Sequence, residues 1–144
     1  MKKLHMITSV VAFSLLTQCT TTQDGTRVFD PVKATAVVNV TVPSAVRIAV
    51  SKEPKSVQYF RLVSTTIDLL TLGSSDLSPD TLQKALADIG PEVLKTVEAQ
   101  AAVDAVQALY SAFYADVVAQ KLSEKELDHV LRALSSAILR GLPQ

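Results

Sequence analysis

The side chains able to do covalent or metal chemistry are few and scattered. Of two histidines, the one that lies beyond the first eighteen residues is His129, one helical turn after Glu126 and next to Asp128. A Glu and a His three residues apart on a helix offer two ligands to a metal, whereas structural and catalytic sites draw on three or four. Opposite a leucine stripe, such a trio reads as a solvated polar face. No serine stands in a G-x-S-x-G context, and His129 has no identifiable acid and nucleophile partner, so hydrolase chemistry is only a remote alternative. The four glycines, at positions 25, 73, 90 and 141, fit neither G-x-x-x-x-G-K-[ST] nor G-x-G-x-x-G, which excludes nucleotide use through those loops. The sequence therefore reads as a non-enzyme with no cofactor and no metal site.

One reactive group remains, the thiol of Cys19, the single cysteine of the chain. It has no internal disulfide partner, so its position carries the information. Lys2 and Lys3 form a cationic start, and the eleven residues from Met6 to Leu16 (MITSVVAFSLL) are mostly apolar. This is the pattern of a secretory signal. It is too short for a membrane span, which takes about 20 apolar residues, and polar residues resume at Thr17 and Gln18. No A-x-A pattern for ordinary cleavage occurs there.

The segment Leu16-Thr17-Gln18-Cys19 resembles the lipobox of bacterial lipoproteins, and the resemblance covers only the first nineteen residues. Gln18 stands where that family carries Gly, Ala or Ser. The resemblance implies that residues 1–18 are a cleaved signal peptide and that Cys19 is the lipid attachment residue. Its two or three acyl chains would meet the multiple-anchor requirement for stable membrane attachment, since each buried methylene contributes about 0.8 kcal/mol. It also implies, because Thr20 and not Asp follows the cysteine, an outer-membrane location facing the periplasm in a Gram-negative host. The mature chain would keep no free thiol.

The elements that would sit behind this anchor are helices. Residues 20–30 (TTTQDGTRVFD) are polar, contain an Asp24-Gly25 turn signal and show no period long enough to name, so residues 19–30 read as a lipid-anchored tether. As flexible coil it would hold the domain on the order of 20 Å from the lipid. A helical domain over 31–144 follows. Asp30-Pro31 is a cap and first helical residue. The valines from 38 to 50 fit either a strand or a helix face, and a helix over about 31–51, kinked or broken near Pro43, is the preferred reading because no second alternating segment exists to pair with a strand.

A second helix runs from near Pro54 to about Leu72 with Phe60, Val63, Ile67 and Leu70 along one face. A third, capped by Ser78, buries Leu82, Ala85, Leu86 and Ile89, and Gly90-Pro91 separates it from a fourth running to about Gln120. That fourth helix carries a bulky seam, Ala99, Val103, Val106, Tyr110, Phe113 and Val117, and a nearly opposite alanine seam at 101, 105, 108, 112, 115 and 119, which predicts packing on two sides. Ser123 and Glu126 form a capping box for the last helix, whose core face is Leu127, Val130, Leu131, Leu134 and Ile138 and whose stop is Gly141. The sum is an all-α bundle of four to five helices.

With no Trp and seven Phe plus Tyr, the core must be built from Val, Leu, Ile and Ala, which favours closely approaching helices. Removing Lys2 and Lys3 with the signal leaves 12 basic against 14 acidic residues, a net charge of −2. Basic residues are dispersed among acids, which excludes a phosphate-binding face and hence nucleic-acid binding. Tyr59 and Tyr114 lie off the main apolar stripes and are the candidate interface residues, whereas Tyr110 belongs to the core seam with its hydroxyl at an edge. These features together indicate a membrane-anchored envelope lipoprotein whose helical domain is an interaction or structural module for an envelope protein or a second copy of itself. The alternative is a bundle that binds small apolar or lipidic molecules.

Overall fold

The computed structural model describes residues 19–21, 27–73, 76–87 and 95–144. Two short strands, β1 (Cys19–Thr21) and β2 (Arg27–Phe29), precede helices α1 (Pro31–Lys52), α2 (Ser56–Gly73), α3 (Pro79–Ala87), α4 (Val97–Ala119) and α5 (Glu124–Gly141). The expected signal peptide, residues 1–18, lies outside the described residues, as do Ile89, Gly90 and Pro91. The all-α bundle is the architecture observed. Its centre is α5, which packs most extensively on α1 and α2 and also meets α4, while α4 packs across α1.

Local sequence accounts for most helix ends. The Asp30 carboxylate accepts from the amides of Val32 and Lys33 at 3.0 and 3.2 Å, and Pro31 occupies the first turn, where a missing N–H removes nothing. The segment that reads equally as strand or helix is helical, and it continues through Pro43. Thr41 and Ser44 hydroxyls donate back to the carbonyls of Val37 and Val40 on either side of the proline. By length and composition α1 could cross a membrane. In the bundle, however, its Ala34, Val38, Val42, Val46 and Ala49 are buried core.

The fourth helix starts later than the Gly90-Pro91 signal suggests. Lys95 and Thr96 are not helical, and Thr96, in extended conformation, caps the helix by accepting from the Ala99 amide at 3.2 Å. A β-branched hydroxyl residue at that point competes for the backbone and sets the boundary. The bulky seam of α4 is buried throughout, but the alanine seam is not a second packed face: Ala108, Ala115 and Ala119 are exposed, and only Ala105 of that seam is buried. The inner face is widened instead by Ala102 and Leu109, and in α3 Ala85 is likewise exposed while Leu82 and Leu86 are buried.

Two close approaches fix α5 against its neighbours. At its C-terminal end Gly141 is the last helical residue and not a left-handed stop. A Cβ built there would meet Val46 Cβ at 2.6 Å and the Pro43 carbonyl oxygen at 2.9 Å. Arg140 bonds the Asn39 side chain beside this contact, and Arg47 donates to the Arg140 carbonyl at 3.3 Å. Midway along, Ser64 of α2 and Ser135 of α5, both fully buried, share a 2.7 Å hydroxyl contact, and each hydroxyl also reaches the other residue's carbonyl, at 3.3 and 3.2 Å. Small polar side chains that satisfy one another allow two helix backbones to approach without leaving a buried donor unpaired.

Two stability measurements test these contacts. Gly→Ala inside a helix ordinarily gains up to about 1 kcal/mol. Gly73, the last residue of α2 with open space where its Cβ would stand, should show a small part of that gain, whereas Gly141→Ala should lose about 1–3 kcal/mol through overpacking; equal effects in urea unfolding would refute the close-approach account. For the serine pair, Ser64→Ala or Ser135→Ala alone should lose about 1–2 kcal/mol, and the double variant should lose clearly less than the sum, because removing both partners leaves no orphaned hydroxyl. Strict additivity would show that the hydroxyls are not coupled.

Candidate functional site

The features able to serve a function gather at one end of the bundle. The sequence builds this end from Phe29, a large aromatic residue placed directly before the Asp30-Pro31 cap. Its ring is buried against Phe113 of α4, with centroids 6.1 Å apart, and its amide donates to Gln120 Oε1 at 2.8 Å. β2 pairs antiparallel with β1 in the register Cys19 to Phe29, Thr20 to Val28 and Thr21 to Arg27. Directly opposed residues of such a pair have Cα atoms about 5 Å apart. Within residues 19–30, expected as a flexible tether, the described parts pair with each other and Phe29 joins the core. The cause is a single buried aromatic side chain, a tertiary contact that carries no periodicity.

Next to Gln120 the chain turns from α4 into α5 through a Schellman arrangement. Leu122 N donates to Val117 O at 3.0 Å and Lys121 N to Val118 O at 3.2 Å, with Lys121 at φ 53 where glycine is the usual occupant. Leu122 and Val117 then face one wall of a cleft of about 220 Å³ that is also lined by Leu77, Tyr114, Val118 and Leu127, with Asp76, Lys121 and Glu124 contributing charge. Its other wall is held by Tyr110, a fully buried ring whose hydroxyl donates to the Leu77 carbonyl at 3.0 Å. Asp76 is fixed there as well, accepting from Ser78 N at 2.9 Å and from the Thr81 hydroxyl at 2.7 Å. Those bonds, Thr81 first, hold its carboxyl below the usual aspartate value.

Of the sequence candidates, Tyr114 lies in this cleft, half-buried and packed on the core. Tyr59 does not join it. That ring is buried edge-on against Phe60, so it is a core residue and not a displayed anchor, and burial, then the nearby Asp104, raises its phenol above the ordinary value. Cys19 stands at the start of β1, across from Phe29. Glu126 is occupied by its cap, accepting from the Ser123 amide at 2.8 Å and hydroxyl at 2.9 Å, and Asp128 accepts from Arg132 at 2.9 Å. His129 is exposed beside them. Among the described residues no group of three or more His, Cys, Asp or Glu is placed to hold a metal. Sequence reasoning missed Gln120, Lys121 and Leu77. Only Phe29, a lone aromatic in a polar stretch, left a signal that could have been read.

Burial, followed by the fields of Asp76 and Tyr114, pushes the Tyr110 phenol from 10.0 up to about 12. Between those values the unfolded chain releases this proton while the folded chain retains it, so stability is full below pH 10 and falls as pH rises through the window. The urea midpoint of the native protein should therefore decline from pH 10 upward. Tyr110→Phe should lose about 1 kcal/mol at neutral pH from the missing hydrogen bond and show a shallower alkaline decline; an unchanged decline would assign the effect to other groups. Compared with known protein families, curated proteins and solved structures, the chain matches none.

Proposed function

We propose that this protein is an exported lipoprotein, anchored through Cys19, whose helical domain is a non-enzymatic interaction or structural module held against a membrane of the cell envelope. In a Gram-negative host that membrane is the outer membrane, with the domain in the periplasm. The observation that carries the reading is the conjunction of the lipobox-like Leu16-Thr17-Gln18-Cys19 with the backbone register that sets Cys19 opposite Phe29, a residue of the core. An acylated cysteine at that place would be joined to the domain through a strand pair and not through a long coil. The partner on this reading is the membrane itself together with an envelope protein or a second copy, and no nucleic acid is involved.

A pocket for apolar small molecules is the weaker reading. The cleft beside Tyr114, at about 220 Å³, is below the roughly 300–1,000 Å³ of ordinary ligand sites. Among the described residues, Tyr110, Phe60, Phe113, Ile67 and, from α5, Leu131 and Leu134 are large side chains fully buried in the bundle.

Expression in a native-type host tests the anchor. The membrane-extracted protein should have the intact mass of residues 19–144 plus acyl chains, and Cys19→Ser should abolish acylation and leave residues 1–18 uncleaved, with its helical circular dichroism unchanged. A chain that keeps its starting methionine and fractionates with the cytosol would overturn the reading.

A further inference from the structure

We infer that the end of the bundle bearing Cys19 is itself a membrane-docking surface, on which Val118, Leu72, Leu69 and Val32 seat in the interfacial layer of a phospholipid bilayer. The inference rests on the anchored-lipoprotein reading and adds an orientation and a set of contact residues to it.

Four chain segments converge at this end. Phe29 is tied to Gln120, so the start of α1 and the end of α4 are neighbours. The end of α4 leads within a few residues into α5. The α2 helix runs antiparallel to α5: Ser64 meets Ser135, and further along α2 the charge of Asp68 acts on Arg132, which lies nearer the α5 start. The C-terminus of α2 therefore reaches the first turns of α5, and three residues beyond Gly73 the chain enters the cleft at Asp76, which Glu124 also lines.

The large apolar side chains left in solvent on these segments are Val32, at 76% exposure, Leu69 at 65%, Leu72 at 70% and Val118 at 57%. Val40, Leu62, Val97 and Leu139 are also exposed but lie away from this end; what sets the four apart is their place beside the lipid attachment point, since apolar side chains around such a point bury to shallow depth in a bilayer interface. Lys33, Lys121 and Lys125 share these segments with Asp30, Asp76, Asp116, Glu124 and Glu126. The excess of acids fits a surface held by apolar contact and not by attraction to anionic headgroups. The backbone of the cysteine that would carry the acyl chains pairs with that of Phe29, three residues before Val32, so the attachment point lies within a few residues of the rim.

Val97 and Val118 provide a matched test, since both lie on α4, both are 57% exposed, and 21 helical residues put them about 30 Å apart. The full-length protein, produced with its anchor and carrying Val118→Cys or Val97→Cys, would be labelled with an environment-sensitive fluorophore on what is then the one free thiol. It would be reconstituted into phosphatidylcholine vesicles containing nitroxide-labelled lipid. Attenuation at least threefold stronger at 118 than at 97 is expected, with Leu72→Cys behaving like 118 and replacement of a third of the lipid by phosphatidylglycerol changing little. Equal attenuation at 118 and 97 overturns the inference. So does shielding at 118 that follows protein concentration and not lipid, which would assign this end to a second copy. The intact mass of the same samples separates the two readings: acylated protein with equal attenuation overturns the docking surface alone, whereas unacylated protein that stays in the supernatant overturns the anchor and the surface together.

Discussion

The stripe of Leu127, Val130, Leu131, Leu134 and Ile138 on α5 is the surface on which the bundle closes. Each of these side chains is buried, and α1, α2 and α4 all pack against the helix that carries them. Without tryptophan the interior is filled by aliphatic side chains together with the rings of Phe29, Tyr59, Phe60, Tyr110 and Phe113, and where no ring intervenes the helices must come close to one another. That constraint explains why a glycine stands where α5 meets the Pro43 turn of α1 and why two serines meet where α5 crosses α2. At both places a larger side chain would force the helices apart and open the apolar contacts on either side.

A consequence of centring the fold on α5 is that the helix ends around its first turn lie together. The α4 to α5 turn, the end of α2 and the start of α1 converge there, and Phe29 fastens the strand pair to the same place through Phe113 and Gln120. Lys121, a non-glycine residue in left-handed conformation, stands at this turn. Such conformations cost of order 1–2 kcal/mol, and here two backbone hydrogen bonds and the Leu122–Val117 side of the cleft hold it. The cleft is therefore a by-product of helix ends meeting and not a cavity between helix faces, which explains its small volume and its mixed charged and aliphatic lining.

The helix content, the caps at Asp30 and Ser123, the inward faces of α2 and α5 and the bulky seam of α4 were legible in the sequence. Each is written in residues three or four apart, and that spacing determines one face of a helix whatever it packs against. Periodicity misled where it met no partner. The alanine seam of α4 has regular spacing, yet half of it is exposed and only Ala105 is buried, because small side chains bury too little area to require a neighbour.

What only the tertiary structure decided is which elements meet. Tyr59 is core because the rest of the bundle closes over it, Gly141 is a contact residue because Val46 and Pro43 come to it, and Phe29 brings the β1–β2 pair onto the end of α4. None of these follows from neighbours in the chain. A sequence specifies the face that an element must bury, but which surface covers that face is settled by competition among all the long-range contacts at once.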